Sequence, residues 1–295
     1  MKKFFFFAAV AVAASAVVSC DPVKPDTTGG VSVGADNLVA YFPLDSQEKA
    51  ITLGEGVTVA ELGGKGAFVE AGARGGCYSN SSLSHDTQAY LKLNVPADFL
   101  KKLTSFTFGA WVNAPTERGG IITFDGGSDA NWGAWDLFFD GGDDTGVTLK
   151  GYLFNNGTAW GGFYPTYKGP EVAKNKWIYV TYTYDEVSSY ANLYVNGTLV
   201  GNADEEGNIA GTNLCWAGPA DDNGNQEKLG KLNLSEVSCM YIGAFASRET
   251  GKSSESWLSY FAGKIDEIRI YNKALSNQEI KALFQAEVQA ADNLD

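Results

Sequence analysis

An all-β domain closed by one short C-terminal helix is the fold this sequence predicts, on three observations. Glycine (35 residues) far outnumbers proline (8), and aromatic residues make up 13% of the chain against only two methionines, the usage of strands and tight turns. From Leu38 onward, short runs of alternating apolar residues are separated by Gly, Asn and Asp, and no segment of helical period follows until the last twenty residues. With 44% of its 295 residues hydrophobic, the chain has the apolar material to bury a large core, which argues against disorder.

The N-terminal segment reads as a targeting device. Lys2 and Lys3 form a positive n-region, and residues 4–18 form an apolar stretch too short to span a bilayer comfortably. The run Ala16-Val17-Val18-Ser19-Cys20 resembles a bacterial lipobox, which implies acylation at Cys20 and a lipid anchor in the cell envelope, at the outer membrane or the cell surface. An ordinary secretory signal or a short anchor is the alternative. Residues 20–36 are polar and turn-forming and read as a flexible tether, 37–288 as the domain, and 289–295 as a tail.

Within the domain, Phe106, Phe108, Ala110 and Val112 share one face of a strand and Trp111 takes the other. Residues 177–184 split likewise, with Ile178, Val180, Tyr182 and Tyr184 opposite Trp177, Tyr179, Thr181 and Thr183. Both faces of these strands are expected to be covered. Asn196-Gly197 between Leu193-Tyr194-Val195 and Thr198-Leu199-Val200 signals a type I′ hairpin, because both positions accept positive φ. Residues 201–237 break the rhythm and read as a polar insertion loop. Strand signals resume at Met240 and again over 263–271. Ser276 and Glu279 then form a capping box ahead of a helix striped by Ile280, Leu283 and Phe284.

Four stretches in this order resemble the LamG-like jelly rolls of the concanavalin A-like lectin and glucanase superfamily. They are Leu38 to Asp45, Phe106 to Val112, Trp177 to Asp185 continuing to Asn196-Gly197, and Gly263-Lys264-Ile265-Asp266-Glu267-Ile268-Arg269-Ile270-Tyr271 with Ala274-Leu275-Ser276. The resemblance spans about residues 38–286 and implies a two-sheet antiparallel jelly-roll sandwich with binding surfaces on one face or at the rim. It does not imply one function, since the superfamily holds lectins, adhesion modules and glucanases alike.

Chemistry is sparse. The net charge of −13, with no basic run interleaved with aromatics, argues against nucleic acid as a partner. A retaining glucanase needs two carboxylates about 5 Å apart, and the Glu-x-Asp-x-x-Glu strand of laminarinase-like relatives is missing. The nearest carboxylate-bearing strand holds only Asp136 and Asp140. The lone histidine lies in the contiguous Ser84-His85-Asp86, whereas a catalytic triad gathers its members from separate elements. Asp266, placed by strict alternation on the face of Ile268 and Ile270, must be compensated. In related glucanases the equivalent aspartate helps hold a structural Ca²⁺ with groups from the N-terminal strand, which nominates Asp45 beside Asp266; backbone N–H bonds are the metal-free alternative. The clusters at 140–144 and 221–224 lack EF-hand spacing. Cys215 and Cys239 flank one polar segment that a disulfide could close, and Cys77 reads as a buried thiol.

The surplus of aromatics is the remaining resource. Trp111 and Trp177 read as core, whereas Trp132, Trp135, Trp160, Tyr164, Tyr167 and Trp216 lie in or beside Gly- and Asn-rich segments, where exposed rings can stack on a sugar's C–H face. The sequence thus points first to a non-catalytic envelope lipoprotein that binds a polysaccharide or glycoprotein glycan. A structural or adhesion module for a partner protein and a divergent glycoside hydrolase are the alternatives.

Overall fold

The computed structural model describes residues 27–126, 132–143, 146–154, 165–200, 202–203, 209–211 and 214–294. These fold as two antiparallel sheets packed face to face, the sandwich expected from the sequence. Sheet A runs in the order β14 (Thr198–Val200), β13 (Ala191–Val195), β12 (Ile178–Tyr184), β7 (Phe106–Asn113), β18 (Lys264–Tyr271), β1 (Leu38–Phe42), β2 (Leu53–Gly54). Off that path, β5 (Cys77–Asn80) pairs with β18 and with β4 (Gly66–Val69). Sheet B runs β11 (Thr166–Gly169), β10 (Gly146–Leu153), β9 (Trp135–Asp143), β8 (Arg118–Phe124), β17 (Cys239–Ile242), β6 (Ala89–Asn94), β3 (Thr58–Gly64). Among the described residues, a small ribbon, β15 (Asn202–Ala203) with β16 (Ile209–Gly211), a short 3-10 turn at Ala35–Asn37 and the α-helices α1 (Ala97–Leu100), α2 (Ala246–Glu249) and α3 (Asn277–Ala290) complete the elements.

The period-two pattern explains the layers. Phe106, Phe108, Ala110 and Val112 of β7 and Ile178, Val180, Tyr182 and Tyr184 of β12 enter the core between the sheets. Their alternates Trp111, Trp177 and Tyr179 pack on the outer face of sheet A under Leu275, Ile280 and Leu283. Helix α3 covers that face and carries the expected capping box, with Ser276 accepting from the Glu279 N–H and Glu279 accepting from the Ser276 N–H. Asn196 (φ 49°) and Gly197 (φ 74°) make the two-residue turn between β13 and β14. A Cβ on Gly197 would lie 2.9 Å from the Phe284 Cβ. Gly197→Ala should therefore cost about 1–2 kcal/mol from the left-handed backbone and this contact, read as a fall in urea midpoint without a change in slope.

Five expectations are corrected. Asp266 does not share a face with Ile268 and Ile270. Pairing with β7 slips between Asp266 and Arg269, and Glu267 sits at φ 50°, so a β-bulge turns Ile265, Ile268 and Ile270 inward while Asp266 stands outward with Arg269 and Tyr271. The tether is packed from its second half: Val31 is buried in the outer layer, and the Thr28 carbonyl accepts from Arg269. The 289–295 tail also docks, since the Asp292 and Asn293 N–H groups both donate to the Ala73 carbonyl. The 201–237 insertion is not only polar, because Cys215, Leu229, Leu232, Leu234 and Val237 join the central core. Cys215 lies in that core and Cys239 on the outer side of sheet B, and both are free thiols, as is buried Cys77.

Candidate functional site

The outer face of sheet B gathers the aromatics that the core does not use. Strand register aligns Glu61, Lys92, Tyr241, Thr123, Asp136 and Tyr152 in one row across six strands, a span of roughly 24 Å at about 4.8 Å per strand. The segment 244–262, with α2, lies over the middle of this row. It can approach because β8 offers glycines there: a Cβ on Gly119 would come within 2.4 Å of the Tyr260 backbone, and one on Gly120 within 2.6 Å of the Ala244 backbone. The Thr123 hydroxyl then ties the segment down, donating to the Ala244 carbonyl (2.9 Å) and accepting from the Ala246 N–H (2.8 Å).

Over β9 and β10 the face carries an aromatic platform. Trp132 stacks on Tyr152, with ring centroids 5.0 Å apart and planes at 20°, and meets Trp257 at 4.9 Å and Phe138 at 5.2 Å. Phe138, Tyr152, Phe154, Phe245 and Leu258 are buried beneath, while Trp132 and Trp257 are only partly buried. Beside them Lys150 and Asp140 form an ion pair at 2.5 Å. Toward β6, Tyr90 and Tyr241 meet edge to face at 5.4 Å, and Lys92 lies 5.6 Å from the Tyr241 ring centroid.

Asp136 is fully buried in this row. Its Oδ2 accepts from the Gly133 N–H at 2.9 Å, and its Oδ1 has no partner. Burial pushes its pKa up to about 8, with that single N–H bond the only opposing influence. Among the described residues, no charged group contributes to that shift. Asp140, the next acid on this face of β9, is four residues on, roughly 13 Å along the strand.

The candidate aromatics separate. Trp132 is on the platform. Trp135 is not a surface ring: it alternates with Asp136, faces the interior with Leu137 and Phe139, and stacks on Tyr182 at 5.7 Å with planes 5° apart. Tyr167 packs against the central core and bonds Glu171. Trp216 pairs with Lys228 in the 214–229 loop, on another element. Trp160, Tyr164 and Cys20 lie outside the described residues. Trp257, Tyr152, Phe138 and Phe245 were missed by the sequence reading. The alternation of Asp136 and Phe138 along β9 was a usable signal for the second of these strand positions, whereas Trp257 sits in a Ser-rich loop with none.

Asp45 and Asp266 do face each other across the 72–76 turn, but as its anchors. Asp266 Oδ2 accepts from the Arg74 N–H (3.0 Å), its Oδ1 from the Glu267 N–H (2.9 Å), and Asp45 Oδ1 from the Gly76 N–H (3.0 Å). Calcium takes six to eight oxygens. Both carboxylates thus accept N–H bonds, as the metal-free alternative has it, and no group of three or more His, Cys, Asp or Glu side chains placed to hold a metal occurs among the described residues.

Comparison with known proteins agrees with this architecture. No curated protein matches the chain in sequence. Among solved structures, the binding domain of botulinum neurotoxin DC in complex with rat synaptotagmin II superposes with a TM-score of 0.52 at 14% identity, over 86% of this chain and 52% of that one. The botulinum neurotoxin serotype D ligand binding domain in complex with N-acetylneuraminic acid gives 0.51 at 14%, over 87% and 52%. The binding domain of Paraclostridial Mosquitocidal Protein 1 gives 0.52 at 12%, over 84% and 52%. The chain thus spans about half the length of these structures, and at such identity the likeness is one of fold. In sequence, residues 85–238, more than half of the chain, match the Laminin_G_3 family model, and with both sheets in place the chain belongs to the Concanavalin A-like lectin/glucanases superfamily.

Proposed function

We propose that this protein is a non-catalytic carbohydrate-binding module, held at the cell envelope through a lipid on Cys20, that receives a polysaccharide or glycoprotein glycan on the outer face of sheet B. One observation carries the reading. Trp132 and Trp257 stand only partly buried on a platform of stacked rings, a surface suited to a sugar's C–H face, beside Asp136, whose next acid along β9, Asp140, is four residues away. The Lys150 and Asp140 pair at the platform's flank offers donors and acceptors to sugar hydroxyls. A structurally similar toxin domain was solved with N-acetylneuraminic acid, which supports a glycan. Another was solved with a synaptotagmin, which favours a protein partner as the second reading.

Affinity electrophoresis through gels containing laminarin, xylan or mucin tests the proposal. The wild-type chain should be retarded by at least one of them. Trp132→Ala should lose about tenfold in affinity, or about 1.4 kcal/mol, measured at a temperature where the variant is fully folded. Retardation that survives removal of both Trp132 and Trp257 would move the site elsewhere, and release of reducing ends from the retained polysaccharide would make the protein an enzyme.

A further inference from the structure

The segment 244–262 divides the outer face of sheet B lengthwise. Its residues pack to opposite sides: Ala244, Ala246 and Tyr260 join Tyr90 and Tyr241 toward β6, whereas Phe245 and Leu258 join Phe138 and Tyr152 over β9 and β10. The line between the two groups is β8. Tyr260 bridges Gly120, the Gly120 N–H donates to the Ser259 carbonyl (3.3 Å), and the Gly243 N–H donates to the Ile121 carbonyl (2.9 Å). Together with the bonds of Thr123 to Ala244 and Ala246, these contacts hold the segment along β8 from Gly120 to Thr123.

The result is a fixed ridge. Its base, residues 244–247 and 258–260, is buried, and residues 250–256 above it are mostly exposed. Arg248 Nη1 donates to the Leu258 carbonyl at 2.6 Å and the Tyr260 hydroxyl donates to Glu249 at 2.7 Å, which ties the two arms of the segment together. A buried base bonded through its backbone does not belong to the weakly held parts of a fold that swing aside. A glycan crossing the strands from Tyr152 to Lys92 would have to pass through this ridge.

The floor beside the ridge runs along the strands instead, and it changes from aromatic to polar. Tyr152 opposes Asp136 at the platform, and two residues on, Lys150 stands between Phe138 and Thr166. Two residues further, Thr148 opposes Lys168 of β11, with Asp140 on β9 bonded to Lys150. The alternates Val147, Leu149 and Tyr167 pack on the central core, so Lys150, Thr148, Thr166 and Lys168 face outward. Tyr152 to Thr148 is four residues, roughly 13 Å along the strand, the length of about three sugar rings. Hydroxyls, ammonium groups and a carboxylate are all partners for sugar hydroxyls. Resting on the sheet B reading, we propose that the ridge sets the direction and the length of the ligand. The glycan lies parallel to β9 and β10, with one ring on Trp132 and Trp257 and the next ones over Lys150 and Thr148, and it does not cross to Lys92 and Tyr241.

Isothermal titration calorimetry of the full-length protein tests this with laminari-, xylo- and poly-N-acetyllactosamine oligosaccharides from dimer to hexamer. In a series that binds, affinity should rise to about the trimer and then level. Lys150 belongs to a surface ion pair of little weight in stability. Lys150→Ala should weaken the trimer by about three- to tenfold through loss of a charge-assisted bond and should leave the dimer nearly unchanged, a dependence on ligand length that a structural defect would not produce. Lys92→Ala, beyond the ridge, should leave every oligomer unchanged. Affinity that climbs steadily to the hexamer, a loss on Lys92→Ala, or a trimer indifferent to Lys150→Ala would overturn this inference while leaving the sheet B site in place. Failure of all three series to bind would overturn the sheet B reading and this one with it.

Discussion

Asp136→Asn should raise the melting temperature at pH 8 to 9 by about 5–15 °C while changing it little near pH 5. Folded Asp136 is buried and keeps its proton up to about pH 8, whereas an aspartate in the unfolded chain releases its own near pH 4. Between those values folding takes up a proton, so stability falls as pH rises through the window and the full penalty is in place above it. One pKa unit is worth about 1.4 kcal/mol, so the buried charge costs an estimated 2–5 kcal/mol at alkaline pH, which in a chain of this size corresponds to the stated range at about 2–4 °C per kcal/mol. Asparagine keeps the oxygen that accepts the Gly133 N–H and removes the charge. Its amide nitrogen enters the place of an oxygen that has no partner, which cancels part of the gain at acid pH, where aspartic acid is already neutral. Glu267, pushed up to about 7 by burial and by Glu287, titrates through a lower window with the same sign. The wild-type profile therefore slopes down from acid to alkaline pH for more than one reason, and the difference between the two profiles isolates Asp136. Thermal melts in matched buffers from pH 5 to 9 read it, and parallel profiles would show that the carboxylate is solvated and the sheet B face more open than described.

Much of the fold was legible because both layers of a sandwich obey one period. The alternation in β7 and β12 assigned each ring to the central core or to the layer under α3, and the Asn196-Gly197 turn and the Ser276 cap are local signals that need no tertiary context. Reading failed where one residue breaks the period. Glu267 adds a residue to β18, and everything before it changes face relative to strict alternation, so Asp266 went to the wrong side of the sheet. Trp135 and Trp132 show the limit for the site. They are three residues apart beside the same glycine and asparagine, yet one ends in the core on Tyr182 and the other on the outer platform. Which of them faced out depended on where β9 begins, a boundary that composition does not mark. The platform also takes Trp257 from a segment more than a hundred residues away, a meeting set by the glycines of β8 rather than by anything near Trp257 itself.

Arg269→Met should be the most damaging single substitution on the outer face of sheet A. The guanidinium is fully buried at the centre of a charged cluster. Its Nε bonds Glu287, its Nη2 meets Glu267 at 3.2 Å, its Nη1 donates to the Thr28 carbonyl at 2.7 Å, and its plane lies 4.1 Å from the Tyr41 ring centroid. Tyr41 in turn bonds both oxygens of Glu267 at 2.9 Å, and the Trp111 indole bonds Glu287. One side chain thus joins the N-terminal segment, β1, β18 and α3. Removing it leaves Glu267 and Glu287 buried together with Arg74, 4.0 Å from Glu267 and partly exposed, as the nearest remaining cation, and an uncompensated buried charge costs about 3–5 kcal/mol. Lysine should recover only part of this, because one ammonium cannot reproduce three differently directed bonds. The triple variant Glu267→Gln, Arg269→Met, Glu287→Gln should recover most of it, since the loss belongs to the stranded carboxylates more than to the missing ion pairs. The pH response separates these causes. Both acids already sit above the usual carboxylate range, and without Arg269 they rise further, so the single variant should gain stability as pH falls toward 5 and lose it as pH rises through their folded pKa values. Urea unfolding of the single and triple variants at pH 5 and pH 8 reads the pattern. A loss of equal size at both values, unrelieved in the triple variant, would mean that the arginine acts through its packing on Tyr41 and its bond to Thr28 rather than through charge.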